Sequence, residues 1–378
     1  MKKILFLTGT RADFGKLKPL MYSVEKHPDF ELQIFVTGMH TMALYGNTQL
    51  EVKKAFNNSV HVFYNQHTGE PMEDTLANTI KGLSRYLHEN RPDMLVIHGD
   101  RVEALAGAVT GAINNILVAH IEGGERSGTI DELIRHSASK MSHLHFVSND
   151  EARNRLLQMG EAPETVHIIG SPDYDVMLSS NLPDLKEVFR YYQLDFSRYG
   201  VLLYHPVTTR LETLSSDTSV LIDSLIESER NYVVIYPNND EGSPIILDYY
   251  QVLLENPRFR IFPSMRFEYF LTLLRHADHI IGNSSAGVRE APFYGVPAIN
   301  VGDRQNCRFI GEGVFNVPFN KAEILAAIES SQGIDSGNVT CEYFGSGQSA
   351  DKFIQCLSNP RTWTIDTQKL FMDKEVLS

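Results

Sequence analysis

At 378 residues with 42% hydrophobic side chains, the chain exceeds what one hydrophobic core usually supports, so two domains are expected. A formal net charge of -13 repels polyanions at long range, which argues against nucleic acid and anionic membrane surfaces as partners. Cys307, Cys341 and Cys356 are odd in number and lack C-x-x-C spacing, so reduced, partly buried thiols are predicted rather than a disulfide framework or a zinc knuckle.

The opening Met1-Lys2-Lys3 leads into an apolar run, Ile4 to Leu7, too short for a signal sequence or a membrane span, and a cytosolic protein is expected. From there, short aliphatic or β-branched runs alternate with stretches of helical period, the pattern of parallel strands joined by crossover helices. The first half predicts strands at Ile4–Leu7, Leu32–Val36, Val60–Tyr64, Met94–Ile97, Ile116–Ile121, His145–Val147 and Val166–Ile169. Between the first two, Leu17, Leu20, Met21 and Val24 fall on one helical face. Gly170-Ser171-Pro172 breaks the pattern, and Tyr174–Arg198 reads as a polar helix. The second half predicts strands at Val201–Tyr204, Tyr232–Tyr236, Phe259–Phe262, His279–Ile281 and Ala298–Val301, with helices around Leu221, Leu247, Phe270 and Arg289. The expected fold class is α/β, two doubly wound Rossmann-like domains facing across a cleft. Residues 1–171 form the first domain, 172–358 the second, and 359–378 a tail packing back on the first.

Ligands of open α/β sheets bind at the carboxyl ends of the strands, so polar residues just after each apolar run are the candidates. Thr8 to Gly15 lacks both G-x-G-x-x-G and the Walker lysine pattern, which leaves Arg11 either as a phosphate-binding guanidinium or as an exposed loop residue. Asp100 with Glu103 fits a capping box for the next helix, and equally a reactive acid at a strand end. Glu122 opens a glycine-containing loop. Thr129 with Glu132 is a second capping-box candidate and puts Asp131 in the first turn of a helix. Three acids at adjacent strand ends of one parallel sheet converge on the same rim. His143 and His145 alternate onto one strand face without a carboxylate at ligand spacing, and read as structural rather than metal-binding.

In the second half, His205 begins a loop where it either contacts phosphate or packs. The strand His279–Ile281 runs into Gly282-Asn283-Ser284-Ser285-Ala286-Gly287 and a helix carrying Arg289 and Glu290. This outlines a phosphate cradle at a helix N-terminus, with a plain serine N-cap as the competing reading. Taken locally, Glu290 reads either as a ribose ligand or as a solvated helical charge.

Taken together, Thr8-Gly9-Thr10-Arg11, His98-Gly99-Asp100-Arg101, His120-Ile121-Glu122-Gly123-Gly124-Glu125, Ser127-Gly128-Thr129-Ile130-Asp131 and Asn283-Ser284-Ser285-Ala286-Gly287 resemble the UDP-N-acetylglucosamine 2-epimerase family. Tyr236-Pro237-Asn238-Asn239-Asp240, Arg266-Phe267-Glu268-Tyr269-Phe270 and Arg289-Glu290-Ala291-Pro292 extend the resemblance in chain order to about residue 360. It is closest to the hydrolysing branch of sialic-acid pathways. The non-hydrolysing branch has a basic loop where this chain has His205-Pro206-Val207-Thr208-Thr209.

The resemblance implies a glycosyltransferase-B-type fold that releases N-acetylmannosamine and UDP from UDP-N-acetylglucosamine through a 2-acetamidoglucal intermediate. It implies Asp100, Glu122 and Asp131 as catalytic carboxylates, with base and acid unassigned among them. Arg11, His205, Asn239, Arg266, Phe267, Ser284, Ser285, Gly287 and Glu290 are implied as UDP or phosphate contacts. It further suggests a homodimer or homotetramer. No redox step occurs and nothing demands a metal, so no cofactor is expected. A hydrolysing epimerase of a UDP-2,4-diacetamido-trideoxy sugar, a non-hydrolysing epimerase, a glycosyltransferase of similar architecture and a nucleotide-sugar sensor remain the alternatives.

Overall fold

The structure, a computed structural model, describes residues 1–306, 308, 313–332, 342–370 and 372. Cys307 and Cys341 lie outside these residues, as do positions 371 and 373–378 of the expected tail. Cys356 is a free, partly buried thiol, and its burial raises its pKa. Among the described residues, no helix is long and apolar enough to cross a membrane.

The chain divides into two compact units. The first comprises Met1–Glu125, Asp131–Ser179 and Tyr343–Ser378, and the second comprises Arg126–Ile130 and Ser180–Glu342. The strands of the first are β1 (Lys2–Thr8), β2 (Phe30–Val36), β3 (Val60–Val62), β4 (Met94–His98), β5 (Leu117–Ile121), β6 (Leu144–Val147) and β7 (Val166–Ile168). They form one parallel sheet of order β3-β2-β1-β4-β5-β6-β7. The strands of the second are β8 (Gly200–Leu203), β9 (Tyr232–Ile235), β10 (Phe259–Phe262), β11 (His279–Gly282), β12 (Ala298–Val301) and β13 (Val314–Val317). They too are parallel, in the order β10-β9-β8-β11-β12-β13. Each sheet reverses its winding beside its first strand, between β1 and β4 and between β8 and β11. The two α/β units with parallel sheets are those the alternating runs predict.

The continuous apolar runs have a direct cause, because both faces of each sheet are covered. Along β1, Ile4 and Phe6 face a layer containing Phe14, Leu17, Leu20 and Met21, whereas Leu5 and Leu7 face Leu83, Leu95 and Ile97, and all eleven are buried. The helix Arg11–Lys26 starts at a capping box, in which the Thr10 hydroxyl accepts from the Asp13 N–H while the Asp13 carboxylate accepts from the Thr10 N–H.

One local expectation is corrected and one strand is added. Tyr174–Arg198 is two helices, Pro172–Met177 and Leu185–Tyr192. The first closes at Leu178, whose N–H donates to Tyr174 O, Pro183 disfavours helical backbone at Leu182 before it, and the Asp184 carboxylate caps the second by accepting from Glu187 N. The strand Val314–Val317 had no sequence signal. It is a four-residue edge strand, partly exposed along its length and followed by Pro318.

The helix Ser349–Ser358 packs in the first unit, with Phe353 against Phe6 and Phe146 at centroid separations of 6.2 and 4.8 Å. The chain beyond it is pinned by Lys369, whose ammonium donates to the carbonyls of Lys140 (2.9 Å) and Ser142 (2.7 Å) at the end of the helix Ile130–Met141 and pairs with Glu161. A cation there completes a helix C-terminus and complements its dipole. Glu161 also takes a hydrogen bond from His145 Nε2 at 2.9 Å and an ion pair from Lys140 at 3.0 Å. The fold thus brings to His145 a carboxylate that the local spacing did not.

Burial alone would raise the Glu161 pKa, but His145 and Lys369 outweigh it and hold the group at about 2, below its ordinary 4.5. A depressed carboxylate pKa contributes stability that is present above about pH 4.5 and is lost as pH falls through about 2. Glu161→Gln, which leaves the half-buried Lys369 ammonium on its backbone carbonyls alone, is expected to cost about 1–3 kcal/mol at pH 7. The difference in melting temperature from the native protein should narrow as the pH falls from about 4.5 to 2. A difference that stays constant over that range contradicts the pairing.

Candidate active site

In the first unit, the pairing of His98 with Ile121 aligns the ends of β4 and β5, so the loops carrying Asp100 and Glu122 leave the same rim. Glu122 is 3% exposed and has φ +60°, a left-handed conformation that costs a non-glycine residue of order 1–3 kcal/mol and that persists only when its surroundings hold it. Those surroundings are identifiable. Its N–H donates to Phe146 O at 2.9 Å, its carbonyl accepts from Arg135 Nη1 at 2.6 Å, and its carboxylate accepts from the Ser171 hydroxyl. His98 Nε2 lies 3.2 Å from the other carboxylate oxygen.

Arg135 also binds the Asp100 carboxylate through Nη2. The capping-box reading of Asp100 therefore fails. The helix Val102–Ile113 has Arg101 at its N-cap without a side-chain cap, and Asp100 turns instead to a guanidinium, a stronger partner than a backbone N–H. Glu103, the other half of that box, is 2% exposed and packs against Gly9 and Gly38, with its Oε2 3.3 Å from Arg101 Nε. Asp131 sits in the first turn of the helix Ile130–Met141, one turn before Arg135.

His120 fixes the other side of the Asp100 loop. Its Nε2–H donates to Gly99 O at 2.8 Å, which leaves Nδ1 to accept from the Ser139 hydroxyl at 2.9 Å. Burial pushes its pKa down to about 3, so the ring is a neutral strut and not a proton carrier. His143 is structural in the same way, with Nδ1 accepting from Val118 N at 3.0 Å. Arg11 opens the helix Arg11–Lys26, and its Nε lies 2.9 Å from the Glu51 carboxylate. The exposed-loop alternative for this residue is excluded, since its side chain is 18% exposed.

In the second unit, the switch point between β8 and β11 is bridged by one amide. Asn283 Oδ1 accepts from His205 N and Asn283 Nδ2 donates to His205 O, both at 2.8 Å. His205 Nδ1 accepts from Asn238 N at 3.0 Å, which puts the proton of the neutral ring on Nε2. Gly282 has φ +132°, and a Cβ there would stand 2.2 Å from Leu203 O, so only glycine lets β11 turn into this loop.

The cradle differs from the expectation. Ser284 caps a single 3-10 turn, Ser285–Gly287, accepting from Ala286 N at 3.3 Å, and the helix after it spans only Glu290–Phe293. Four residues build little dipole, so any anion here relies on individual N–H and hydroxyl donors. Glu290 is 3% exposed, which removes the solvated-charge reading.

Asn239 is partly exposed in the loop after β9. Arg266 lies over the rings of Tyr191 and Tyr269, at 4.8 and 5.5 Å from their centroids, and its N–H donates to the Tyr192 hydroxyl at 2.9 Å. Phe267 is 5% exposed, so its ring belongs to the core. Arg135, Ser171 and Asn283 had no assigned role in the sequence reading. Their partners lie 35, 49 and 78 positions away, beyond any local pattern.

Residues 22–358 match the family model for UDP-N-acetylglucosamine 2-epimerase. The chain is 49% identical over 377 residues to a Neisseria meningitidis UDP-N-acetylglucosamine 2-epimerase, covering 99% of each chain. It is 33% identical over 344 residues to a Legionella pneumophila UDP-N,N'-diacetylbacillosamine 2-epimerase (hydrolyzing), covering 88% of this chain and 89% of the relative. A crystal structure of the Methanocaldococcus jannaschii UDP-GlcNAc 2-epimerase in complex with UDP-GlcNAc and UDP superposes with a TM-score of 0.78 at 21% identity. That match covers 94% of this chain and 99% of the other, and it carries the glycosyltransferase-B fold class.

The amide bridge at the second switch point is open to direct test. Asn283→Ala removes two hydrogen bonds to the His205 backbone and is expected to lower stability by about 1–3 kcal/mol in denaturant melts. A loss below about 0.5 kcal/mol contradicts a structural role for the bridge.

Proposed function

Given that the chain belongs to the UDP-N-acetylglucosamine 2-epimerase family, we propose that it is the hydrolysing enzyme, converting UDP-N-acetylglucosamine and water into N-acetylmannosamine and UDP. The observation that carries this reading is the pair of acids at the first sheet's rim held in two different environments, Asp100 on a guanidinium and Glu122 on a hydroxyl beside an imidazole. A reaction that removes a proton from C2 and later returns one needs a base and an acid in one site, and unequal surroundings are how two carboxyl groups divide those roles.

C2–H of the sugar is poorly acidic because no carbonyl adjoins it. It becomes labile as the C1–O bond to UDP stretches and positive charge develops on the ring, so stabilising the departing diphosphate lowers the barrier for both bonds. Ser284, Ser285, the backbone N–H groups to Gly287, His205 and Arg11 are the proposed diphosphate contacts. Each such preorganised donor is worth roughly 10²- to 10³-fold in rate. Glu290 is the proposed acceptor for the ribose hydroxyls, and Asn239, Arg266 and the Phe267 backbone complete the UDP contacts. UDP departs from C1 as one of Asp100, Glu122 and Asp131 takes the C2 proton, giving 2-acetamidoglucal. Water then adds at C1 while a proton is delivered to C2 on the opposite face.

The His205-Pro206-Val207-Thr208-Thr209 loop and the Legionella relative, named as hydrolyzing, support the hydrolysing branch over simple epimerisation. N-Acetylmannosamine as product places the enzyme at the first step of sialic acid synthesis. The same relative favours a second reading, a UDP-2,4-diacetamido-trideoxy sugar as substrate; the higher identity to the Neisseria protein favours the first.

Incubation with UDP-N-acetylglucosamine alone separates these readings. Free N-acetylmannosamine with equimolar UDP is expected. Accumulation of UDP-N-acetylmannosamine contradicts the hydrolysing assignment, and a kcat/KM at least tenfold higher on the diacetamido substrate transfers it to the second reading. Glu122→Gln is expected to lower kcat about 10²- to 10⁴-fold with UDP affinity unchanged. Turnover like that of the native enzyme removes Glu122 from the chemistry.

A further inference from the structure

Arg135 belongs to no motif singled out in the sequence, yet it links the Asp100 carboxylate to the backbone of Glu122. It is 4% exposed and stands one turn after Asp131 on the helix Ile130–Met141. One arm of its guanidinium holds the Asp100 carboxylate, and the other donates at 2.6 Å to the carbonyl of Glu122, the residue in a left-handed conformation. We propose that Arg135 is a positioning residue that fixes Asp100 and Glu122 in one relative geometry, and that it acts on the reaction through them; this rests on the epimerase reading above.

Shape matters at Arg135 as much as charge. A guanidinium is a rigid planar fork whose two arms reach two acceptors at once, whereas an ammonium is a point charge on a flexible stem. Glu122 pays for its backbone conformation only while its N–H and carbonyl are both held, and Arg135 supplies the carbonyl half. Release of that carbonyl lets the peptide relax and carries the carboxylate away from the Ser171 hydroxyl and from His98. A displacement near 1 Å at a reacting group costs about 10²-fold in rate. The same loss frees Asp100 from its partner, so one substitution disturbs both acids.

The test uses Arg135→Lys, which keeps the charge and loses the fork, in the native background and in Asp100→Asn. kcat and KM are measured for UDP-N-acetylglucosamine, with melting curves to confirm folding. In the native background, kcat is expected to fall at least about 100-fold while KM stays within about threefold. In the Asp100→Asn background the further loss should be smaller than in the native background, about tenfold or less, because the Asp100 half of the effect is already gone and residues acting as a unit are not additive. Millimolar methylguanidinium should restore at least about tenfold of the rate lost in Arg135→Ala, with sodium chloride at equal concentration restoring none.

Arg135→Lys within threefold of native kcat overturns the proposal, as does an equal fold-loss in both backgrounds. Should Arg135→Ala fail to fold, the Lys comparison decides alone. The underlying reading fails separately, through absence of turnover by the native enzyme or full activity of Asp100→Asn.

Discussion

A buried guanidinium must be matched by acceptors or the fold pays several kcal/mol for leaving it unmatched. In the first unit, Arg135 meets that constraint with the Asp100 carboxylate and the Glu122 carbonyl. Much of the surrounding geometry follows. The strand ends at His98 and Ile121 must be in register for both loops to reach one side chain. Glu122 must turn left-handed to present its carbonyl, and the Asp100 loop must be braced from behind, which His120 does as a neutral ring. The helix that carries Arg135 is in turn capped at its far end by Lys369, so the C-terminal stretch of the chain helps to hold the element on which Asp131 and Arg135 sit.

The second unit solves a different problem by different means. The net charge of -13 supplies no long-range attraction for a nucleotide, so local donors must do the holding. Its switch point is braced by a neutral amide, with Asn283 clamping the His205 backbone, and not by an ion pair. With no long helix behind Ser284–Gly287, the donors there are individual N–H groups and hydroxyls, whose worth depends on placement rather than on field.

Much of the scaffold was legible because burial on both faces leaves little but apolar residues in a parallel strand, and runs such as Leu95-Val96-Ile97 admit few other readings. The strand Val314–Val317 escaped because a partly exposed edge strand ending at a proline carries neither a long run nor an alternation. The helix Ser349–Ser358 gives no local sign of the unit in which it packs, since its anchor Phe353 is specified only by where Phe6 and Phe146 stand in three dimensions. At the site, the acids were visible as polar residues after apolar runs. Their partners were not: Arg135 and Ser171 carry no local mark of their roles and reach Asp100 and Glu122 only through the fold. The capping-box reading of Asp100 stayed open for the same reason, because a pattern four residues wide contains no information about a guanidinium 35 positions away.

The proposed chemistry requires acids that exchange the hydrogen at C2 of a nucleotide-sugar while its diphosphate leaves. Proton NMR of the free sugar formed from UDP-N-acetylglucosamine in heavy water tests that most directly. Complete replacement of the C2 proton by deuterium in the released N-acetylmannosamine is the result this chemistry requires. A product that retains the original C2 proton contradicts it.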